Sequence, residues 1–295
     1  MKSKAELSSL PAQTKLMPLR YKIGIIAGGG QFPLLFAQAA KQQGLQVVIV
    51  AHKGESLPEI ETVADRICWV KLGQLGKIIS FFQDEGVSET VLLGTITKTR
   101  IFFDAWPDFK GLSLWNKIDT KQDDSILRAV ADALEMDGIR VLESTIYLKH
   151  LLFPKGVLTR LQPNAAQLED VRFGWRIARA VGQLDIGQCV VVRDRTVLAV
   201  EAIEGTDATI KRGGLLGKEK AIVVKVKKPT QDFRFDLPAI GLTTIDSMRE
   251  VGAALLAVEA GQSLLFDAEA VVREADRAGV IVIGIEENTV GQLLF

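Results

Sequence analysis

The stretch from Tyr21 to Val50 leaves this chain few folds to choose from. An apolar run, Ile23 to Ala27, leads straight into Gly28-Gly29-Gly30, then a helical stretch from Leu34 to Gln43 stopped by Gly44, then a second apolar run, Val47 to Val50. Two short apolar runs separated by a helix-length connection form a parallel β-α-β unit, because parallel strands need a long crossover. The 18 residues between Lys22 and Lys41 carry no charge, a length at which a membrane helix comes into consideration. Three glycines, Pro33 and two glutamines break that run, so it reads as strand, turn and helix start.

The pattern continues. Apolar runs recur at Ile67 to Val70 and Val91 to Leu93, with a helix-like segment from Leu75 to Gln83 between them. Residues 94 to 120 are aromatic-rich and poorly periodic, with Phe102, Phe103, Trp106, Phe109 and Trp115. Asp123 to Met136 spaces Ile126, Leu127, Val130 and Leu134 as an amphipathic helix, and a strand follows Gly138. Pro154, Gly156 and Pro163 then cluster. The expected division is a flexible extension over 1–20, a Rossmann-like N-terminal domain with a parallel sheet over 21–150, a linker over 151–164 and a second α/β domain over 165–295. In the second domain a helix from Ala165 to Val181 precedes a hairpin, Cys189 to Arg193 and Val197 to Glu201, turning at Asp194-Arg195. A strand is expected at Ile222 to Val226, a helix at Ile245 to Glu259, a strand at Ser263 to Phe266, a helix at Ala268 to Ala278 and a strand at Val280 to Ile285.

Composition removes several functions. The 36 Lys and Arg balance 36 Asp and Glu, which gives no footprint for nucleic acid. Cys68 and Cys189 form neither a disulfide framework nor a zinc motif. The first 20 residues lack the apolar core of a secretory signal, so a cytoplasmic protein is expected, with an organellar transit peptide the lesser alternative. His52 and His150 are the only histidines in the sequence, which disfavours imidazole-rich metal centres and Ser-His-Asp sets. Acid-base or metal chemistry then falls to carboxylates, lysines and backbone dipoles, with Mg²⁺ the cation that hard oxygen ligands favour.

Gly28, Gly29 and Gly30 after the first strand are candidates to cradle a phosphate, since residues without Cβ let backbone N–H groups approach an anion. A tight turn with no ligand is the alternative. The dinucleotide fingerprint fails, because Pro33 stands where its third glycine belongs and no acid closes the second strand. Gly73-Gln74-Leu75-Gly76-Lys77 is not a P-loop either. Three clusters in the second half stand out. Leu184-Asp185-Ile186-Gly187-Gln188 enters the hairpin. Glu201 to Asp207 leaves it through Gly205, with Thr206 or Asp207 open to a simple capping role. Lys225, Lys227 and Lys228 precede Gln231, Asp232, Arg234 and Asp236, which the bland reading makes a solvated lysine run.

Taken together, Ile23 to Gly30 with Pro33, Asp123-Asp124 before Leu127-Arg128, Leu184 to Gln188, Val200-Glu201-Ala202 with Glu204 to Ala208, and Lys228-Pro229 with Gln231 and Asp236 to Gly241 resemble the LpxI-type UDP-2,3-diacylglucosamine pyrophosphatases over Lys22 to Ile285. The resemblance implies Mg²⁺-dependent hydrolysis to UMP and lipid X (2,3-diacylglucosamine 1-phosphate) in lipid A biosynthesis. It also implies a ligand held between two domains, a homodimer and peripheral contact with the cytoplasmic face of the inner membrane. It puts the critical carboxylate at Asp236, assisted by Asp207, with Asp123 and Asp124 as further metal ligands. Gly28, Gly29, Gly30, Gln188, Gly205, Thr206, Lys225, Lys228 and Gln231 line the substrate. Gly94-Thr95-Ile96-Thr97-Lys98 departs from the family's Arg-Pro pattern. A non-catalytic carrier of a nucleotide-sugar or lipid is the competing reading.

Overall fold

The computed structural model describes residues 21–97, 107–115, 123–229, 231–235 and 237–295, and for Trp115, Asp123 and Asp124 the backbone only. The expected N-terminal extension, Phe102, Phe103, Trp106, Lys98 and Asp236 lie outside the described residues.

The first half runs β1 (Lys22–Ala27), α1 (Phe32–Gln42), β2 (Gln46–His52), β3 (Arg66–Val70), α2 (Leu75–Asp84), β4 (Glu89–Leu93), α3 (Phe109–Trp115), α4 (Asp123–Met136) and β5 (Arg140–Val141). Its five strands pair in parallel in the order β3-β2-β1-β4-β5. Ile25 faces Ile49 on one side and Val91 on the other, so the central strands are apolar along their length, as a sheet covered on both faces requires. Phe36, Ala37 and Ala40 of α1 pack on one face, with Ile23, Ile25 and Val91. Ile78, Ile79 and Phe82 of α2 pack on the other, with Val48, Val50 and Leu134. Pro33 is tolerated in the first turn of α1 because those N–H groups have no intrahelical partner.

The second half runs β6 (Gly156–Val157), α5 (Ala165–Gln183), β7 (Cys189–Arg193), β8 (Thr196–Val200), α6 (Thr206–Gly217), β9 (Ile222–Lys225), β10 (Ala239–Ile240), α7 (Leu242–Glu250), β11 (Leu255–Glu259), β12 (Leu264–Leu265), α8 (Ala268–Ala278), β13 (Ile281–Glu287) and β14 (Leu293–Leu294). Its main sheet is mixed, in the order β14-β13-β11-β9-β7-β8, with β6 also on β13. β9, β11 and β13 are parallel, while β7 runs antiparallel to β9 and β8. The α/β class and the hairpin follow the sequence expectation.

Asn164 and Gln167 close a reciprocal capping box at the start of α5, satisfying two N–H groups at a helix start. Asp194 and Arg195 turn the hairpin at φ +48° and +55°. Their N–H groups donate to the carboxyl oxygens of Asp170 on α5 at 2.8 and 2.6 Å, which holds two left-handed residues in place.

Two expectations are corrected here. Ile245 to Glu259 is not one helix: α7 stops at Glu250, Gly252 sits at φ +64°, and Leu255–Glu259 forms the central strand β11. The short apolar run Leu255 to Val258 carries no period that separates strand from helix, and the flanking glycines decide it. The segment 151–164 is more than a connector. β6 pairs with β13, and Phe153 is buried in the core beneath the second sheet.

The halves meet through residues that follow strand ends. Phe32 meets Phe266 edge-on at 5.5 Å, and Gln31 Nε2 donates to Asp267 Oδ2 at 3.0 Å. Ser144 Oγ donates to the Phe233 carbonyl at 3.0 Å. Arg234 pairs with Glu135 of α4 at 3.2 Å, and Phe235 packs against the first half's core. The segment after β9 therefore crosses from one sheet to the other.

Candidate functional site

The first sheet reverses its strand order between β1 and β4, the position beside which open α/β sheets bind ligands. The triple glycine lies there, and most of its backbone is already engaged. Gly28 N donates to the Leu93 carbonyl at 2.7 Å, and Gly29 N donates to the Thr95 carbonyl at 2.7 Å. A Cβ at Gly28 would lie 2.5 Å from the Thr95 oxygen, and one at Gly94 would lie 2.4 Å from the Gly29 oxygen. These glycines permit two backbone segments to touch. Gly30, exposed at φ +83°, remains on the outer side of the loop.

His52 supports this loop from below. Its Nδ1 lies 2.9 Å from the Ala27 carbonyl, which also accepts from Ser56 Oγ at 2.7 Å. Burial lowers the His52 pKa from its ordinary value, outweighing the opposite pull of the Ala27 carbonyl and Glu55.

The second sheet brings together residues the sequence put in separate motifs. Lys225, the last residue of β9, pairs in register with Cys189 of β7, so both project from the same sheet face. Lys225 is buried, and its Nζ donates to the Ala239 carbonyl at 2.9 Å. Glu201, also buried, accepts from Thr206 Oγ1 at 2.9 Å and from Gln188 N at 3.2 Å. Asp207 follows in the first turn of α6. Burial first, then Glu201, pushes the Cys189 thiol well above the ordinary thiol range; Lys225 opposes this and Asp207 adds to it. Glu201, Lys225 and Asp207 thus all act on the charge of that buried thiol. Gln188 Oε1 is also buried, with no hydrogen-bond partner among the described residues.

Gly205 is the residue before α6, at φ +82°, with no side-chain cap, so Thr206 spends its hydroxyl on Glu201 and not on the helix end. The capping alternative for Thr206 and Asp207 is thereby corrected.

Lys228 Nζ meets Asp185 Oδ1 at 2.7 Å, and its N–H donates to Oε1 of buried Gln231 at 2.9 Å. Lys228 and Gln231 are thus tied to the Leu184–Gln188 loop and to the start of the crossing segment. In that segment burial raises the Asp232 carboxyl, and the hydrogen bonds and charge of Arg234 outweigh it, leaving the group below the usual carboxylate range. Asp236 lies outside the described residues, flanked by Phe235 on the first half's core and by Pro238, whose carbonyl accepts from Leu264 N at 2.7 Å. Asp123 and Asp124 open α4, their side chains outside the description. Among the described residues no three His, Cys, Asp or Glu side chains form a metal-binding group.

Sequence reasoning missed Arg179 and Glu259. Arg179 of α5 reaches Glu259 at the end of β11, NH2 to Oε1 at 2.6 Å, and Glu287 at the end of β13, Nε to Oε2 at 3.0 Å. The available signal was Glu259 itself, an acid closing the apolar run Leu255 to Val258, where a strand's carboxyl end meets a ligand-binding edge.

Comparison with known proteins adds the following. Residues 22–151 match the LpxI N-terminal domain and residues 154–283 the LpxI C-terminal domain. The UDP-2,3-diacylglucosamine pyrophosphatase LpxI of Caulobacter vibrioides is 32% identical over 278 residues, covering 90% of this chain and 98% of that protein. Among solved structures, the gox2253 protein is 10% identical with a TM-score of 0.31, covering 90% of this chain and 77% of the other. The biotin carboxylase subunit of a pyruvate carboxylase is 14% identical with a TM-score of 0.26; the likeness spans 62% of this chain but 36% of that one. Neither reaches the level of a shared fold. With both domain models matched in order across nearly all of its length, the chain belongs to the LpxI family.

Proposed function

We propose that this chain hydrolyses the pyrophosphate of UDP-2,3-diacylglucosamine to UMP and lipid X, the step of lipid A biosynthesis named for its relative. The observation that carries the reading is the 32% identity running end to end along the Caulobacter pyrophosphatase. Buried Lys225 and Glu201, with half-buried Thr206 and Asp207 beside them, support it, because moving negative charge onto a leaving phosphate calls for fixed cations and oriented polar groups.

In this reading Asp236 is the central carboxylate and orients the attacking water, with Asp207 assisting. Lys225 and Lys228 offset charge on the phosphate oxygens. Gln188, Gly205, Thr206 and Gln231 line the substrate, and the Gly28–Gly30 loop reaches it through Gly30. The oxygen donors suit a hard divalent cation, which takes one or two carboxylates with phosphate oxygens, and the unpartnered Gln188 Oε1 adds one more. Asp236, Asp123 and Asp124 would hold Mg²⁺, which when bound neutralises charge on the pyrophosphate.

Leu184, Ile186 and Ile203, 70, 49 and 85% exposed on the two loops beside this group, offer aliphatic surface to acyl chains. Among the described residues no helix is long and apolar enough to cross a membrane. The lipid substrate would then be met by peripheral contact with the inner membrane's cytoplasmic face. A homodimer belongs to the same reading.

The test is ³¹P NMR of UMP and lipid X formed with and without Mg²⁺, with Asp236→Ala alongside. Turnover lost on chelation and reduced at least about 10³-fold in the variant is the expected result. Tight retention of the lipid without product would make the protein a carrier instead.

A further inference from the structure

We infer that Arg179 and Glu259 are positioning residues that set the start of the segment carrying Lys228, Gln231 and Asp236. The inference rests on the pyrophosphatase reading and adds to it two residues outside the substrate-lining set.

The geometry is a clamp on one peptide residue. Glu259 Oε2 accepts from Lys227 N at 2.8 Å, while Arg179 NH1 donates to the Lys227 carbonyl at 3.1 Å. The two side chains close on each other, Arg179 NH2 to Glu259 Oε1, at 2.6 Å. Both backbone groups of Lys227 are therefore held by one ion pair, which is itself mostly shielded, with 26 and 9% of the two side chains exposed.

The clamp is braced from the far side. Trp175 Nε1 donates to Glu287 Oε2 at 3.0 Å, Arg179 Nε donates to the same oxygen at 3.0 Å, and the guanidinium lies 5.4 Å from the Trp175 ring centroid. A planar guanidinium with fixed donors suits this task, since three acceptors in different directions fix its orientation. Glu259, Glu287 and Arg179 come from β11, β13 and α5, so rigid elements hold the clamp.

Its position gives it a role in the reaction. Lys227 lies next to Lys228 and two residues past Lys225, whose side chain shares the Cys189 face of the sheet, opposite the face that α5 covers. The chain leaving β9 is thus pinned from both faces of the sheet before it crosses to the first half. Catalytic groups displaced by about 1 Å lose on the order of 10²-fold in rate. Slack at Lys227 would be passed to Lys228, Gln231 and Asp236, whereas substrate contacts made by α6 and by the 184–188 loop would remain.

The test is steady-state kinetics on UDP-2,3-diacylglucosamine with Glu259→Ala, Arg179→Ala, their double variant and Glu259→Gln, together with amide exchange of 227–235. Glu259→Ala and Arg179→Ala should each lower kcat on the order of 10²-fold with KM within about threefold, and the exchange of 227–235 should quicken. The double variant should lose no more than either single one, because the two act as a unit. Glu259→Gln keeps an acceptor for Lys227 N and should recover about tenfold of the kcat lost in Glu259→Ala.

Loss confined to KM, additive losses, no recovery with Gln, or unchanged exchange would each overturn the inference. An active wild type whose Glu259→Ala variant keeps its kcat fails the inference alone. A wild type that forms no product fails the functional reading, and the positioning role falls with it.

Discussion

The two sheets end in different chemistry. At the carboxyl edge of the first, Gly28 bonds to Leu93 and Gly29 to Thr95 through backbone, Gly94 packs against Gly29, and the nearby histidine is buried with its pKa lowered. At the same edge of the second, Lys225, Glu201, Arg179 and Glu259 bring charged side chains to the strand ends and tie them to loops by hydrogen bonds. The difference shows that a glycine cluster after a strand has two uses that look alike in sequence. It can let a ligand approach the backbone or let another strand's loop do so, and here Gly28 and Gly29 serve the second use.

Substitutions can break or sharpen this contrast. The largest effect should come from Lys225→Met, which keeps length and apolar bulk but removes the charge. Turnover should fall on the order of 10²- to 10³-fold, with a melting temperature only slightly lower. Equal turnover would make the lysine a structural donor to Ala239 and dissolve the contrast.

At the first edge, Gly94→Ala should cost about 3 kcal/mol of stability, since its Cβ would meet the Gly29 oxygen and its φ of +87° disfavours any side chain. Per folded molecule, kcat should stay within about threefold, which denaturant melts paired with kinetics will show.

His52 supplies a pH test. Its folded pKa lies below the ordinary 6.5, so the unfolded chain takes up the proton first. The stability from a neutral His52 is fully present above about pH 6.5 and is lost as pH falls below it, by at most about 1.4 kcal/mol per pH unit. His52→Asn, which keeps a donor for Ala27, should flatten the dependence of urea midpoints between pH 7 and pH 5.

The smallest effect belongs to Gly30→Ala. Among the described residues nothing beyond its chain neighbours lies within 4 Å of the added Cβ, so the cost is the left-handed conformation alone, about 1 kcal/mol. A rise in KM beyond that small loss of stability would keep Gly30 as the loop's ligand-facing residue.

Much of this was legible because burial on both faces writes strands as plain apolar runs. Ile23–Ala27, Val47–Val50 and Val91–Leu93 are of that kind, and the Asp194-Arg195 turn between two apolar runs announced the hairpin. Leu255–Glu259 was lost because its apolar run follows directly on the stripe of α7, and one glycine separated them. In the site, Gln188, Thr206, Asp207 and Lys225 were readable as motifs, and the register of β7 against β9 joins them. Arg179 and Glu259 stand 80 positions apart in the sequence, and each alone passes for a surface charge. Only the packing of α5 over β9 and β11 makes them a pair. Asp236, Asp123 and Asp124 rest on resemblance, their side chains outside the described residues.

The short strand β6 has a consequence for anyone cutting the molecule in two. It fills the antiparallel place beside Ile283 and Gly284, and a Cβ on Gly284 would lie 1.8 Å from the Pro154 oxygen, so that strand has given up a side chain to let the preceding chain pass. A fragment begun at the α5 helix would leave this edge bare, with open amide and carbonyl groups ready to recruit a strand from another molecule. Begun at Leu152, the same fragment carries its own edge protection and retains Phe153 in its core.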